Sequence, residues 1–201
     1  MSLSKDNIVA EIVQSICKVV GSGNHPLHQP YFNGNELSYL SDCITTNYVS
    51  SVGTFVDLFE TKLAEFTGVK RAVATVNGTA ALQIALKLSG VKQKYEVLLP
   101  ALTFVATANS IIYLNAIPHF VDSNFSDLGI NSDSLLDWLS YIAEPSIGGF
   151  RNKLTGRKLH AIIPVHIFGH SCELDSLLKV ANDYKLILIE DASESDRKSV
   201  V

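Results

Sequence analysis

Three short, largely apolar runs constrain the fold most: Tyr95-Glu-Val-Leu-Leu99, Leu159-His-Ala-Ile-Ile-Pro-Val165 and Leu186-Ile-Leu-Ile-Glu190. Each stands next to a segment with helical spacing of apolar residues. A run too short for a helix and nearly free of polar alternation is a strand buried on both faces, and buried strands separated by helices pair in parallel. Arg71-Ala-Val-Ala-Thr-Val76 and Ile117-Pro-His-Phe-Val121 extend the series. The expected strands are therefore 71–76, 95–99, 117–121, 159–165 and 186–190, with helices at 79–89, 104–114, 132–142 and 173–184. The fold class is α/β, a three-layer sandwich around a mostly parallel sheet. Residues 143–158, with Pro145, Gly148, Gly149 and Gly156, read as a surface loop or insertion.

Upstream, Ile8, Ile12, Val13, Ile16, Val19 and Val20 predict an amphipathic helix over 5–20, closed by Gly21 and Gly23. An arm rich in turn formers runs to Asn35, and a short helix is expected over 36–45. Phe55, Phe59, Leu63 and Phe66 predict another helix, with Thr54 able to cap it and Gly68 to end it. The chain thus divides into a helical arm, 1–53, a large-domain segment, 54–195, and a tail, 196–201, whose sequence is unrelated to the rest.

Composition narrows the partners. Charged residues are 18% and hydrophobic ones 47%, against about 25% charged in an average soluble domain. A chain this poor in charge buries surface against something else. Net charge is −4 with no basic tract, so nucleic acid is not an expected partner. Cys17, Cys43 and Cys172 are odd in number and far apart, which implies neither a disulfide framework nor a metal site. The N-terminus lacks a signal pattern, and the apolar stretch 101–121 is too interrupted to span a bilayer, so neither secretion nor a membrane is expected and the cytoplasm is the expected compartment.

Four places could carry chemistry. Val76-Asn77-Gly78-Thr79 is a strand end, a glycine and the start of a helix; it is either a phosphate cradle or a glycine turn with a threonine cap. Phe104 opens a helix after a strand end, as a ring-stacking residue or as core. Asp191 ends the 186–190 run, where a carboxylate can cap a helix, bind a metal or pair with a protonated ring nitrogen; Glu194 follows three residues later. His166 and His170 are four apart, but Gly169 breaks the helix that would align them on a metal, so they read as a polar loop at the crevice mouth, with His166 able to stand behind a site residue. Gly21-Ser-Gly23 lacks the preceding strand of a dinucleotide fingerprint, and neither a Gly-x-Ser-x-Gly elbow nor a Gly-Lys-Ser/Thr loop occurs.

In order along the chain, Asn77-Gly-Thr-Ala-Ala-Leu82, Pro100-Ala-Leu-Thr-Phe-Val-Ala-Thr107, Val165-His-Ile-Phe-Gly169 and Glu190-Asp-Ala192 resemble the sugar aminotransferases of the DegT/DnrJ/EryC1/StrS family, pyridoxal-phosphate enzymes of fold type I. Ser51–Glu60 and Ala64–Gly68 share the resemblance, and the arm Pro26–Glu36 looks like the subgroup that makes 4-amino sugars for legionaminic-acid-type pathways. The resemblance implies that Gly78 and Thr79 hold the cofactor phosphate, Phe104 stacks on the pyridine ring, Asp191 pairs with the pyridine nitrogen, and Glu194 stands near the ring hydroxyl. It implies a nucleotide-linked 4-keto-6-deoxy sugar as substrate, glutamate as amino donor, and a homodimer in intact members. Their alternatives are another fold-type-I sugar enzyme such as a dehydratase, or a non-catalytic remnant or partner subunit.

The family's covalent lysine falls downstream of the Glu190-Asp191-Ala192 motif, and Lys198 stands too close behind Asp191 to serve. No catalytic residue is assigned within the chain. In fold type I the first strand of the large domain pairs with a late one, so strand 71–76 is expected to lack its partner. Weak stability and little transaminase activity for the chain alone follow as expectations.

Overall fold

The computed structural model describes residues 5–26 and 30–195. The expected tail, 196–201, and residues 27–29 of the arm lie outside the described residues. The chain divides into two compact units, Met1–Gly53 and Thr54–Val201. The first holds helices α1 (Lys5–Val20) and α2 (Glu36–Thr45). Gly21 follows α1 at φ 84, the left-handed conformation that closes a helix. No helix is long and apolar enough to cross a membrane among the described residues.

The second unit runs α3 (Thr54–Thr67), α4 (Gly78–Leu88), β1 (Glu96–Pro100), α5 (Val105–Ile112), β2 (Ile117–Val121), α6 (Ser132–Ile142), β3 (Ala143–Ser146), β4 (Gly149–Asn152), β5 (Lys158–Ile162), α7 (Leu174–Asp183) and β6 (Ile187–Leu188). β1 lies between β2 and β5, parallel to both, and β6 pairs in parallel with the later half of β5. Helices cover both faces. Leu135, Leu139 and Ile142 of α6, with Leu177, Val180 and Ala181 of α7, pack on Leu98, Leu159 and Ile162. Leu82 and Leu86 of α4 and Ile111 of α5 pack on Val97, Leu99, Ala161 and Ile163. Full burial of each leucine or isoleucine stabilises by about 1.5–3 kcal/mol, which is why these apolar runs form the central strands. Glu96 faces Leu159 whereas Val97 faces Ala161, so His160 is an extra residue in β5. Its ring Nε2 lies 2.9 Å from the Ser89 carbonyl at the end of α4.

Two expectations are corrected. Residues 71–76 form no strand; among the described residues their hydrogen bonds are Ala74 N–H donating to Glu60 Oε1 (2.7 Å) and the Thr75 hydroxyl donating to the Asn77 carbonyl. A strand without a neighbour has no ladder to join, and none lies beside this segment among the described residues. Residues 143–158 are not a loop throughout: β3 and β4 form an antiparallel hairpin whose second strand pairs with the start of β5. Ser146 pairs with Gly149, so the reversal is the two-residue turn Ile147-Gly148; Gly148 at φ 76 takes its left-handed position and Gly149 at φ 140 opens β4, so the glycines that suggested a loop shape a ribbon.

At the amino end of β1, Glu96 is buried, 2% exposed. Its carboxylate accepts from Thr155 Oγ1 (2.6 Å), His119 Nδ1 (2.7 Å) and Asn152 Nδ2 (2.9 Å). The Trp138 indole N–H donates to His119 Nε2, leaving the ring proton on Nδ1 for Glu96. Burial pushes the Glu96 carboxyl up, but the His119, Thr155 and Asn152 hydrogen bonds together hold it below its ordinary value. This network ties β1, β2 and the end of the hairpin together.

Candidate functional site

The opposite, carboxyl end of the sheet carries Asp191. Pro164 has no N–H to donate, and the β5–β6 ladder lapses beyond Ile162 and Leu188. It resumes as a bridge between Val165 and Asp191, with Asp191 N–H donating to the Pro164 carbonyl (2.9 Å) and His166 N–H to the Asp191 carbonyl (3.1 Å). The main chain of Asp191 is therefore fixed to the sheet. Its side chain is 7% exposed. Oδ1 accepts from the Ser193 hydroxyl (2.6 Å) and N–H (3.2 Å), and Oδ2 from the Thr107 hydroxyl (2.8 Å).

Helix α4 begins beside it. Asn77 caps the helix by accepting from Ala80 N–H (2.9 Å), so the cap is the asparagine rather than Thr79. The N–H groups of Gly78 and Thr79 and the Thr79 hydroxyl have no acceptor among the described residues. A side chain at Gly78 would place its first carbon 2.8 Å from the Ser193 hydroxyl. Gly78, Asp191 and Ser193 line one groove of about 770 Å³, whose apolar wall includes Phe59, Leu63, Val73 and Ile189. Phe104 is the residue before α5 and stands 75% exposed, one turn ahead of Thr107.

Of the expected cofactor residues, Gly78 and Asp191 line the groove; Thr79, Phe104 and Glu194 do not, and the Glu194 carboxylate accepts the Phe168 N–H (2.6 Å). His166 is buried, not at a crevice mouth: Nδ1 accepts from Cys172 N–H (3.2 Å) and Nε2 faces Glu190 (3.1 Å). His170 is exposed after a turn in which Gly169 has φ 81. Burial, then the nearby Asp127 carboxylate, push the Cys172 thiol up to about 11, so it is inert packing rather than a nucleophile.

Residues 30–196 match the DegT/DnrJ/EryC1/StrS aminotransferase family. The chain belongs to this family. GDP-perosamine synthase of Vibrio cholerae is 37% identical over 170 residues, 85% of this chain and 42% of that protein. A DegT/DnrJ/EryC1/StrS aminotransferase from Brucella abortus superimposes with a TM-score of 0.69 at 31% identity, over 80% of this chain and 41% of that one. NtdA of Bacillus subtilis, with bound cofactor PMP, gives 0.66 at 25% identity, over 84% and 37%. The chain spans about two fifths of the length of the curated relatives it matches.

Enzymes of the DegT/DnrJ/EryC1/StrS family depend on pyridoxal phosphate, and the groove fits that group. Two free N–H groups and a hydroxyl at a helix start suit a phosphate. Asp191 offers about four acceptor positions and uses three, leaving one for a ring N–H. An aromatic face is free on the helix that bonds Asp191. Sequence reasoning missed Asn77 as the cap and Thr107 and Ser193 as partners of Asp191. The signal for Thr107 was its place three residues after Phe104, one turn along the same helix start; the 84-residue separation hid its partner.

Gly78→Ala is expected to push the Ser193 hydroxyl off Asp191. Losing that hydrogen bond costs about 1 kcal/mol, a fall in the melting temperature of about 2–4 °C. Gly78→Ala/Ser193→Ala removes the collision, so its melting temperature should match that of Ser193→Ala alone. Thermal unfolding by circular dichroism checks both; an unchanged Gly78→Ala midpoint contradicts the contact.

Proposed function

We propose that residues 54–195 form the cofactor-binding part of a pyridoxal-phosphate-dependent aminotransferase acting on a nucleotide-linked 4-keto-6-deoxy sugar, with glutamate as donor. The product would serve cell-surface amino-sugar biosynthesis in the cytoplasm, and the assembled enzyme would be a homodimer. The similarity to GDP-perosamine synthase supports a nucleotide-linked substrate. The observation that carries the reading is the juxtaposition in one groove of a sheet-anchored Asp191 and the unpaired N–H group of Gly78.

When bound, pyridoxal phosphate supplies the electron sink through which an amino group passes from donor to acceptor. The chain's own residues set that up. Asp191 accepts a proton-bearing ring nitrogen and keeps it charged. Gly78 and Thr79 hold the phosphate through main-chain N–H groups at the positive end of α4. Phe104 covers one ring face and excludes water from it. Glu194 would act near the ring hydroxyl only after leaving Phe168. No lysine lines the groove among the described residues, so on this reading the chain alone binds the cofactor non-covalently and transfers no amino group.

Titration of the 201-residue chain with pyridoxamine 5′-phosphate, which carries its own amino group, tests this. Isothermal calorimetry should show saturable binding of one molecule per chain, weakened by competing inorganic phosphate. No uptake, or uptake indifferent to phosphate, overturns the reading.

A further inference from the structure

Thr107 is fully buried, a hydroxyl between the apolar layers, and the cofactor contacts proposed above leave it without a part. Its hydroxyl donates to Asp191 Oδ2 (2.8 Å) and accepts from Thr103 Oγ1 (2.8 Å). The direction matters. A hydroxyl has one proton, and a threonine in a helix can spend it on the carbonyl four residues back. With Thr103 donating to it, Thr107 turns its proton to Asp191.

The two oxygens of Asp191 are then held from different elements. Ser193 holds Oδ1 from within the same loop, and a carboxylate held on one oxygen by its own loop can still swing about its last bond. Thr107 holds Oδ2 from α5, across the sheet end. The same helix start carries Phe104. One hydrogen bond thus fixes both the carboxylate plane and its position relative to the aromatic face. All three contacts present protons to Asp191, so a fourth group fits only if it also brings a proton.

We propose that Thr107, backed by Thr103, is a positioning residue that aims the free acceptor position of Asp191 at a protonated ring nitrogen. This inference rests on the cofactor reading given under Proposed function.

Three variants of the full chain test it. Thr107→Val keeps the volume and removes the hydroxyl, Thr107→Ser keeps the hydroxyl and removes the methyl, and Thr103→Val removes the donor behind. Pyridoxamine 5′-phosphate binding is measured by calorimetry, its ring protonation by the absorbance of the bound cofactor, and inorganic phosphate binding separately. Thr107→Val should weaken cofactor binding roughly tenfold and change the bound absorbance, with phosphate binding intact. Thr107→Ser should stay within about threefold of wild type, and Thr103→Val should weaken binding by about two- to threefold. Thr107→Val binding like wild type while Thr107→Ser fails would make the role mere packing and overturn the inference. Parallel loss of phosphate binding in Thr107→Val would do the same. A wild-type chain that takes up no cofactor overturns the functional reading and this inference together; a wild-type chain that binds, beside an unaltered Thr107→Val and Thr103→Val, overturns this inference alone. Should Thr107→Val not fold, Thr103→Val decides.

Discussion

Asp191→Asn should cut pyridoxamine 5′-phosphate affinity by about 100-fold. Two effects combine. On the proposed reading the substitution removes the negative charge that would face the ring nitrogen, and hydrogen bonds to charged groups are worth about 1.5–3 kcal/mol. It also places an amide donor among groups that all donate: the Thr107 hydroxyl and the Ser193 hydroxyl and N–H. With the amide toward Ser193 it meets a main-chain N–H that cannot accept; turned the other way, it makes the Thr107 hydroxyl give up donating and rotate to accept. Calorimetric titration reads the affinity directly. An Asn variant within threefold of wild type would remove Asp191 from the site.

The second large effect lies at the far end of β1. Glu96→Gln should lower the unfolding free energy by about 3 kcal/mol, since breaking a buried, hydrogen-bonded charge leaves its partners uncompensated. For a chain of this length that is a fall in melting temperature of about 6–12 °C. The pH dependence gives a sharper check. Glu96 is held below its ordinary value of 4.5 in the folded chain. Its contribution is therefore fully present above that value and is lost as pH falls through it and on through the folded value. Wild type and Glu96→Gln should differ fully at neutral pH and converge in acid. Urea unfolding between pH 7 and pH 3 measures the gap; a gap that widens in acid contradicts the carboxylate's role.

What the sequence discloses depends on whether a feature is local. Asp191 was legible because an apolar run ending in an acid states both its burial and its place at the sheet's carboxyl end. Gly78 was legible as a glycine at a helix start, although the strand expected before it is absent. The hairpin of β3 and β4 was hidden, because Pro145, Gly148 and Gly149 all read as loop formers, although only Gly148 sits in the two-residue turn while Pro145 and Gly149 pair across the ribbon, and β4 is completed by pairing with β5. Residues 71–76 show the converse: β-branched sequence is not enough when no neighbour completes the ladder. Glu96 and Thr107 were read past for one reason. Each is a polar residue in an apolar context, and the carboxylate or donors it was not seen to meet lie 23 to 84 residues away. A lone acid inside Tyr95-Glu-Val-Leu-Leu99 was itself the available warning, since burial without partners is too costly to keep.

The two ends of the groove are anchored by different means. Asp191 is built into the sheet through Val165 and Pro164, whereas the segment leading to Gly78 has no strand beside it among the described residues. What holds Gly78 in place is the helix it opens, whose Leu82 and Leu86 are clamped between β1 and α5. The spacing of Gly78 and Asp191 thus rests on side-chain packing at one end and on main-chain hydrogen bonds at the other, so a cavity made at Leu86 would loosen the first contact while leaving the second intact.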